Sequence, residues 1–311
     1  MTRGEGGTSV AARVSELVDR IRRVPEGTRR FDVTPDAARR TYGIGDELLA
    51  ELLGAGLPRD ENSGHPRFDA LDLENIALEL RLSSPHRTAM RWWADSLARS
   101  DGAEGDSYEF EMRVVCPDPG HSGSCVFGVG SLVHEAAEMV EQLSADTFRI
   151  TARRRRITAQ LDDRHASLLE EAARLRFHVL RPPASRDLEW MASSGLADCR
   201  LAMFHLVRWA RDAGYTVRSQ TGLFMVSPFP VAHCWLEVEV DGEWVPIDPL
   251  LLEAFSHWGI IDPLVWPSHR SPAAVLFPIS ENDGWELASH GGLPADARLV
   301  LAWGAAEGGT S

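Results

Sequence analysis

The 311-residue chain contains no lysine, so all 32 of its basic residues are arginine. It has no side-chain amine of its own to crosslink, and with its wealth of Ala, Gly and Leu this points to a gene from a high-GC bacterium. Cysteine is scarce too: four thiols in so long a chain do not make a disulfide framework. No apolar run is long enough to cross a membrane, and the opening MTRGEGGTSV lacks the apolar stretch of a signal peptide. These absences predict a cytoplasmic protein, where a catalytic thiol stays reduced. A net charge of −14 argues against nucleic acid or anionic membrane as a partner. What remains is ordinary globular composition, 44% hydrophobic and 25% charged, with room for two or three domains.

The most informative stretch runs from Gly195 to Pro249. Cys199 opens an amphipathic pattern through Leu201, Ala202, Leu206, Val207 and Ala210 that ends at Gly214. A thiol in the first turn of a helix faces unpaired N–H groups, which favours the thiolate. Downstream, residues 232–240 read as a strand, Asp241-Gly242 as a two-residue turn and residues 243–248 as the return strand. In that register Val240 opposes Glu243, and Asp248 lies opposite Trp235 and diagonal to His233. His233, Trp235, Glu237, Trp244, Pro246 and Asp248 then share one face, with diagonal Cβ atoms roughly 7–8 Å apart. Cys234 belongs to the other face and is expected to point away from the site. Glu237, four residues along the strand, is too far from His233 to orient its ring.

These residues resemble the core of the transglutaminase-like cysteine enzymes, relatives of the papain fold. The resemblance rests on Gly195 and Cys199, then Arg218 and Gly222, then His233-Cys234-Trp235 with Glu237-Val238, then Trp244-Val245-Pro246-Ile247-Asp248-Pro249. It covers about a fifth of the chain. It implies an α+β fold, a helix packed on an antiparallel sheet, and a Cys199–His233–Asp248 triad working through an acyl-enzyme thioester. The expected reaction is acyl transfer or hydrolysis at an amide or thioester carbonyl. Its partners would be a peptide or small-molecule acyl donor, carrier-bound or free, and an amine or water as acceptor, with no cofactor. Trp190 is the family-position guess for a second oxyanion donor, and Trp190, Trp235 and Trp244 are candidate substrate contacts.

The N-terminal region reads as a helical module over residues 1–100, between Gly-rich ends at 1–8 and 304–311. Residues 31–82 resemble the winged helix-turn-helix of MerR-like and excisionase-like proteins. The helix in the reading position carries Asp46, Glu47 and Glu51 and no basic residue, so DNA is disfavoured and a structural or peptide-recognition role preferred. The competing reading of the whole chain is a catalytically silent binding or regulatory protein. Residues 106–180 are expected to form a small α+β region, with a helix over 163–179, ahead of a catalytic domain at 184–303. Within it, Cys116-Pro-Asp-Pro-Gly-His-Ser-Gly-Ser-Cys125 fits no common zinc spacing and is read as a turn, with no metal expected. Arg153 to Arg156 are read as an ion-paired surface. The irregular stretch after Asp248 is expected to line a substrate cleft, with His257 and His269 as loop residues rather than the base.

Overall fold

In the computed structural model, residues 10–61, 64–100, 107–282 and 284–302 are described. The readings made for residues 1–8 and 304–311 lie outside them. The fold is mixed, with helices and several antiparallel sheets.

At the N-terminal end, α1 (Val10–Arg23) packs Val14, Leu17, Val18 and Ile21 into one cluster with Leu49, Leu52, Phe68 and Ile76. Strand β1 (Phe31–Val33) leads into α2 (Pro35–Tyr42). Thr34 caps that helix by accepting the Ala37 N–H, Pro35 supplies its first residue, and Gly43 ends it at φ +67°. Helix α3 (Asp46–Gly54) follows, then β2 (Phe68–Asp69), paired with β1, and α4 (Ala70–Glu79). The periodicity of α5 (Pro85–Ser100) serves a different core: Met90 and Leu97 pack with Phe224, Trp235, Phe255 and Trp258.

Two four-stranded antiparallel sheets, a three-stranded antiparallel sheet and a parallel pair account for the remaining strands of the described residues. The strands β3 (Ser107–Val114), β4 (Phe127–Val129), β5 (Met139–Gln142) and β6 (Thr147–Arg153) come first, with α6 (Ser131–Ala136) between β4 and β5. A 3₁₀ turn at Asp163–His165 and α7 (Ala166–Ala172) follow, so the helix expected over 163–179 stops early. The chain leaves it to form β7 (Arg176–Phe177), which pairs in parallel with β8 (Leu196–Ala197) beyond α8 (Leu188–Ser194). Next come α9 (Cys199–Asp212), β9 (Val217–Phe224), β10 (Val231–Val240), β11 (Glu243–Ile247), α10 (Pro249–His257) and β12 (Leu276–Ser280). The last strands are β13 (Ala288–His290), β14 (Leu293–Ala295) and β15 (Ala297–Ala302). The sheet orders are β11-β10-β9-β12 and β15-β3-β6-β5, with β13 joining β14 to β4. The C-terminal strands therefore return to the region built by residues 107–153, and the two regions interleave.

The pleat of β10 sorts its side chains. Leu236, Val238 and Val240 meet Met203, Leu206, Val207 and Ala210 of α9, whereas Trp235 clusters with Met90 and Leu97 of α5, Phe224 of β9, and Leu251 and Phe255 of α10. The sheet is thus covered on both faces, and its ends are where side chains can reach solvent. No helix of the described residues is long and apolar enough to cross a membrane.

Candidate functional site

Three element termini meet at one place. Cys199 is the first residue of α9, and Asp198 caps that helix by accepting the Leu201 N–H at 2.9 Å. His233 lies near the start of β10. Its register with β11 is the one the hairpin predicts: Val240 pairs with Glu243 and Leu236 with Ile247. Asp241 and Gly242 both take positive φ, +52° and +84°, which gives a primed turn the same twist as its strands.

Asp248 follows the last paired residue of β11 and divides its two oxygens between two tasks. Oδ2 lies 2.6 Å from His233 Nε2, and Oδ1 accepts the Leu251 N–H at 3.1 Å as the N-cap of α10. Both side chains are buried. With Nε2 held by the carboxylate, the other ring nitrogen is left to hydrogen-bond Cys199. Cys199 itself is partly exposed.

Cys234 corrects one expectation. It does lie on the face opposite His233, among the side chains under α9. That face is where α9 delivers Cys199, so the thiols of Cys199 and Cys234 are hydrogen-bonded and Cys199 meets both neighbours. Facing was read correctly, but the approach of the helix was not legible from the strand alone.

The electrostatics follow. Burial opposes charge on His233, but the Cys199 sulfur and Asp248 outweigh it and push the imidazole up from 6.5 to about 10. The Cys199 thiol is pushed well above its ordinary range, first by its hydrogen bond with Cys234 and then by burial, while His233 pulls it down. The thiol is therefore raised where the sequence led us to expect it lowered. Burial also raises Asp198 to about 6, against the hydrogen bonds of its cap. Asp198 was missed in the sequence, although an Asp directly before a periodic apolar run is an N-cap signal.

The three tryptophans have other duties. Trp235 is 1% exposed, stacks at 6.2 Å on His233 and fills the core, so its placement as a substrate contact is corrected: it has no face to offer. Trp190 packs near Met191 and Leu201 and donates its indole N–H to the Arg23 carbonyl at 2.8 Å, which leaves that proton unavailable to an oxyanion. Trp244 lies under the Arg218 guanidinium, 4.3 Å from its ring centre. Glu237 is fully buried and accepts from Arg218 Nε and Nη2 at 2.9 and 2.7 Å, and from Arg155. The Arg and Glu of the sequence pattern are therefore a structural ion pair across β9 and β10.

After α10 the chain does line a cleft, of about 540 Å³, with Leu264, Val265 and Arg270 facing Arg154, Arg155 and Arg156. None of Cys199, His233 and Asp248 lines it. His269 lines the cleft, and His257 engages Glu79 at 3.3 Å and Arg176 at 2.8 Å. Elsewhere, Cys116, His121 and Cys125 gather with His290, which sequence reading could not pair with them because it arrives from β13. Residues 116–125 do form a turn, as read, and it carries three of these four side chains.

No protein-family model matches the chain, and no curated protein matches it. A solved structure described as "a Putative Cysteine Protease from Cytophaga hutchinsonii" is 11% identical, with the alignment covering 64% of this chain and 90% of that one at a TM-score of 0.30. A likeness that low carries no argument about this chain.

Proposed function

We propose that this chain is a transglutaminase-like cysteine enzyme that transfers or hydrolyses acyl groups through Cys199, His233 and Asp248. The observation that carries the reading is the buried 2.6 Å contact of His233 with Asp248, on an imidazole whose other side meets a thiol at a helix start. A structural histidine needs one partner, whereas this one is held between a carboxylate and a nucleophile.

In the proposed reaction the Cys199 proton passes to His233, and the thiolate of the resulting ion pair adds to an amide or thioester carbonyl. The Cys199 N–H, one of the first four of the helix and so without an intrahelical partner, faces the developing oxyanion. As the tetrahedral species collapses, His233 gives its proton to the departing amine or thiol and a thioester remains on Cys199. His233 then takes a proton from water or an amine, which attacks the thioester and expels the Cys199 thiolate, restoring its pair with the His233 imidazolium. Asp248 orients the ring and supports its positive charge throughout. The triad serves peptidase, amidase and amide synthase alike, so the acceptor decides which of these the enzyme is. The cytoplasm is the proposed location.

The helices α2 and α3 between paired β1 and β2 support a winged-helix-like reading of the N-terminal module. Asp46, Glu47 and Glu51 are exposed on α3, which favours a peptide or protein partner over DNA.

The test is intact-protein mass spectrometry after incubation with a panel of acyl thioesters and peptide amides. The expected result is an acyl mass on Cys199 that is absent from Cys199→Ala, with the fold of the variant kept. Acylation that persists in Cys199→Ala, or a wild-type chain left unacylated by every donor, would refute the proposal.

A further inference from the structure

The loop between β3 and β4 carries two cysteines and a histidine for which the proposed acyl chemistry has no use. Residues 115–126 have no helix or strand, and Pro117, Pro119, Gly120 and Gly123 turn the chain sharply. The Asp118 side chain accepts the Gly120 N–H at 3.2 Å, and its carbonyl accepts the His121 N–H at 3.1 Å. This turn folds His121 back onto Cys125, with Nε2 3.3 Å from Sγ.

The fourth member comes from far along the chain. His290 ends β13 and pairs with Phe127 of β4, two residues beyond Cys125, and the Gly291 N–H bonds the Val126 carbonyl at 2.8 Å. That register sets His290 Nε2 3.9 Å from Cys116 Sγ. The donor atoms of Cys116, His121, Cys125 and His290 all lie within 4.8 Å of one another.

We propose that these four side chains bind one structural Zn²⁺ ion. Zinc takes thiolate sulfur at about 2.3 Å and imidazole nitrogen at about 2.0–2.1 Å, so the donors of a tetrahedral site stand roughly 3.3–3.8 Å apart. The two sulfur–nitrogen distances, 3.3 and 3.9 Å, lie close to that range before any ion draws the donors together. A Cys116–Cys125 disulfide would account for the sulfurs and leave two converging imidazoles unexplained. Two thiolates and two imidazoles with no carboxylate among them select a borderline-soft tetrahedral ion over magnesium or calcium. Four protein ligands also close the site to water and substrate, so its role is structural. Zinc there would tie an otherwise irregular loop to the hairpin of β13 and β14, through which the chain reaches β15.

The full-length chain, purified under reducing conditions and stripped with a chelator, is titrated with Co²⁺ and then with Zn²⁺. One equivalent of Co²⁺ is expected to give the intense visible bands of a tetrahedral site and a near-ultraviolet thiolate charge-transfer band, both erased by Zn²⁺. Cys116→Ser and His290→Ala should each weaken binding at least tenfold, which is the scale of a lost ligand or ligand partner. Circular dichroism monitors folding of each variant. Should a variant unfold, the wild-type stoichiometry and thiolate band still decide the matter. Failure of the wild type to bind one equivalent, a spectrum without the thiolate band, or unchanged affinity in folded Cys116→Ser or His290→Ala would overturn the proposal.

Discussion

Replacing Asp248 by Asn separates the two tasks of that carboxylate. Oδ1 caps α10 through the Leu251 N–H, and an amide oxygen can do the same, so the helix start should survive. Oδ2 holds His233 at 2.6 Å, and there the amide brings no charge and can present N–H to a ring nitrogen that needs an acceptor. His233 stands at about 10 against an ordinary 6.5, raised by Cys199 and Asp248 against burial. A carboxylate in direct contact is worth about 1–3 pKa units, or roughly 1.5–4 kcal/mol of support for the imidazolium. The measurement is the His233 ring signal followed by NMR against pH, assigned by its loss in His233→Gln. The wild-type ring should stay protonated past pH 8 and the Asp248→Asn ring should titrate about 1–3 units lower. Turnover, once a substrate is known, should fall by on the order of 10⁴. The stability linkage has a definite sign. A raised histidine stabilises the fold fully below about 6.5 and loses that contribution as pH rises through about 10, so the variant's deficit should shrink across that window. Asp248→Ala should cost a further ~1 kcal/mol for the lost cap. An unchanged His233 titration in Asp248→Asn would refute the reasoning.

Cys234→Ala removes the leading influence that raises the Cys199 thiol, so iodoacetamide should label Cys199 faster at neutral pH than in the wild type, as read by peptide mass mapping. A slower or equal rate would mean that Cys234 does not hold the thiol protonated. Glu237→Gln removes the charge from a fully buried carboxylate paired with the part-exposed Arg155 and Arg218 and should cost about 1–3 kcal/mol in urea unfolding, with an unchanged midpoint counting against it. Gly222→Ala would drive a methyl into the Phe277 carbonyl and to 3.0 Å from the Trp235 ring, which stacks on His233. It should destabilise by about 1–3 kcal/mol on the same unfolding measurement.

The hairpin was legible because its determinants are local. Asp241-Gly242 fixes the turn, the turn fixes the register, and the register delivers Asp248 to His233. The helix caps were legible for the same reason, as at Thr34 and Pro35. What escaped depends on contacts between distant segments. The side of the sheet on which α9 would pack decides whether Cys234 meets Cys199, and no pattern within β10 contains that information. Trp235 sits on the His233 face, as alternation requires, yet α5 and α10 bury it completely. His290 lies 174 residues from Cys116, so no spacing rule could join them, and only the pairing of β13 with β4 does.

The site's construction explains why so short a motif could carry so much of the reading. Cys199 and Asp248 both stand at helix starts, where backbone N–H groups lack partners and a preceding or resident aspartate fills that need. Asp198 takes the Leu201 N–H and Asp248 takes the Leu251 N–H. The pairs Asp198-Cys199 and Asp248-Pro249 are therefore at once helix-start signals and positions at the proposed triad. His233 needs no cap, because β9 fixes it by pairing with Gly222, the residue whose missing side chain lets β12 and Trp235 close in. Each part of the proposed triad is thus positioned by the feature that begins or closes a structural element. A substitution that preserves those features but changes the reactive atom, as Asp248→Asn does, should alter chemistry without altering the fold. One that breaks them, as Gly222→Ala does, should first be felt in stability.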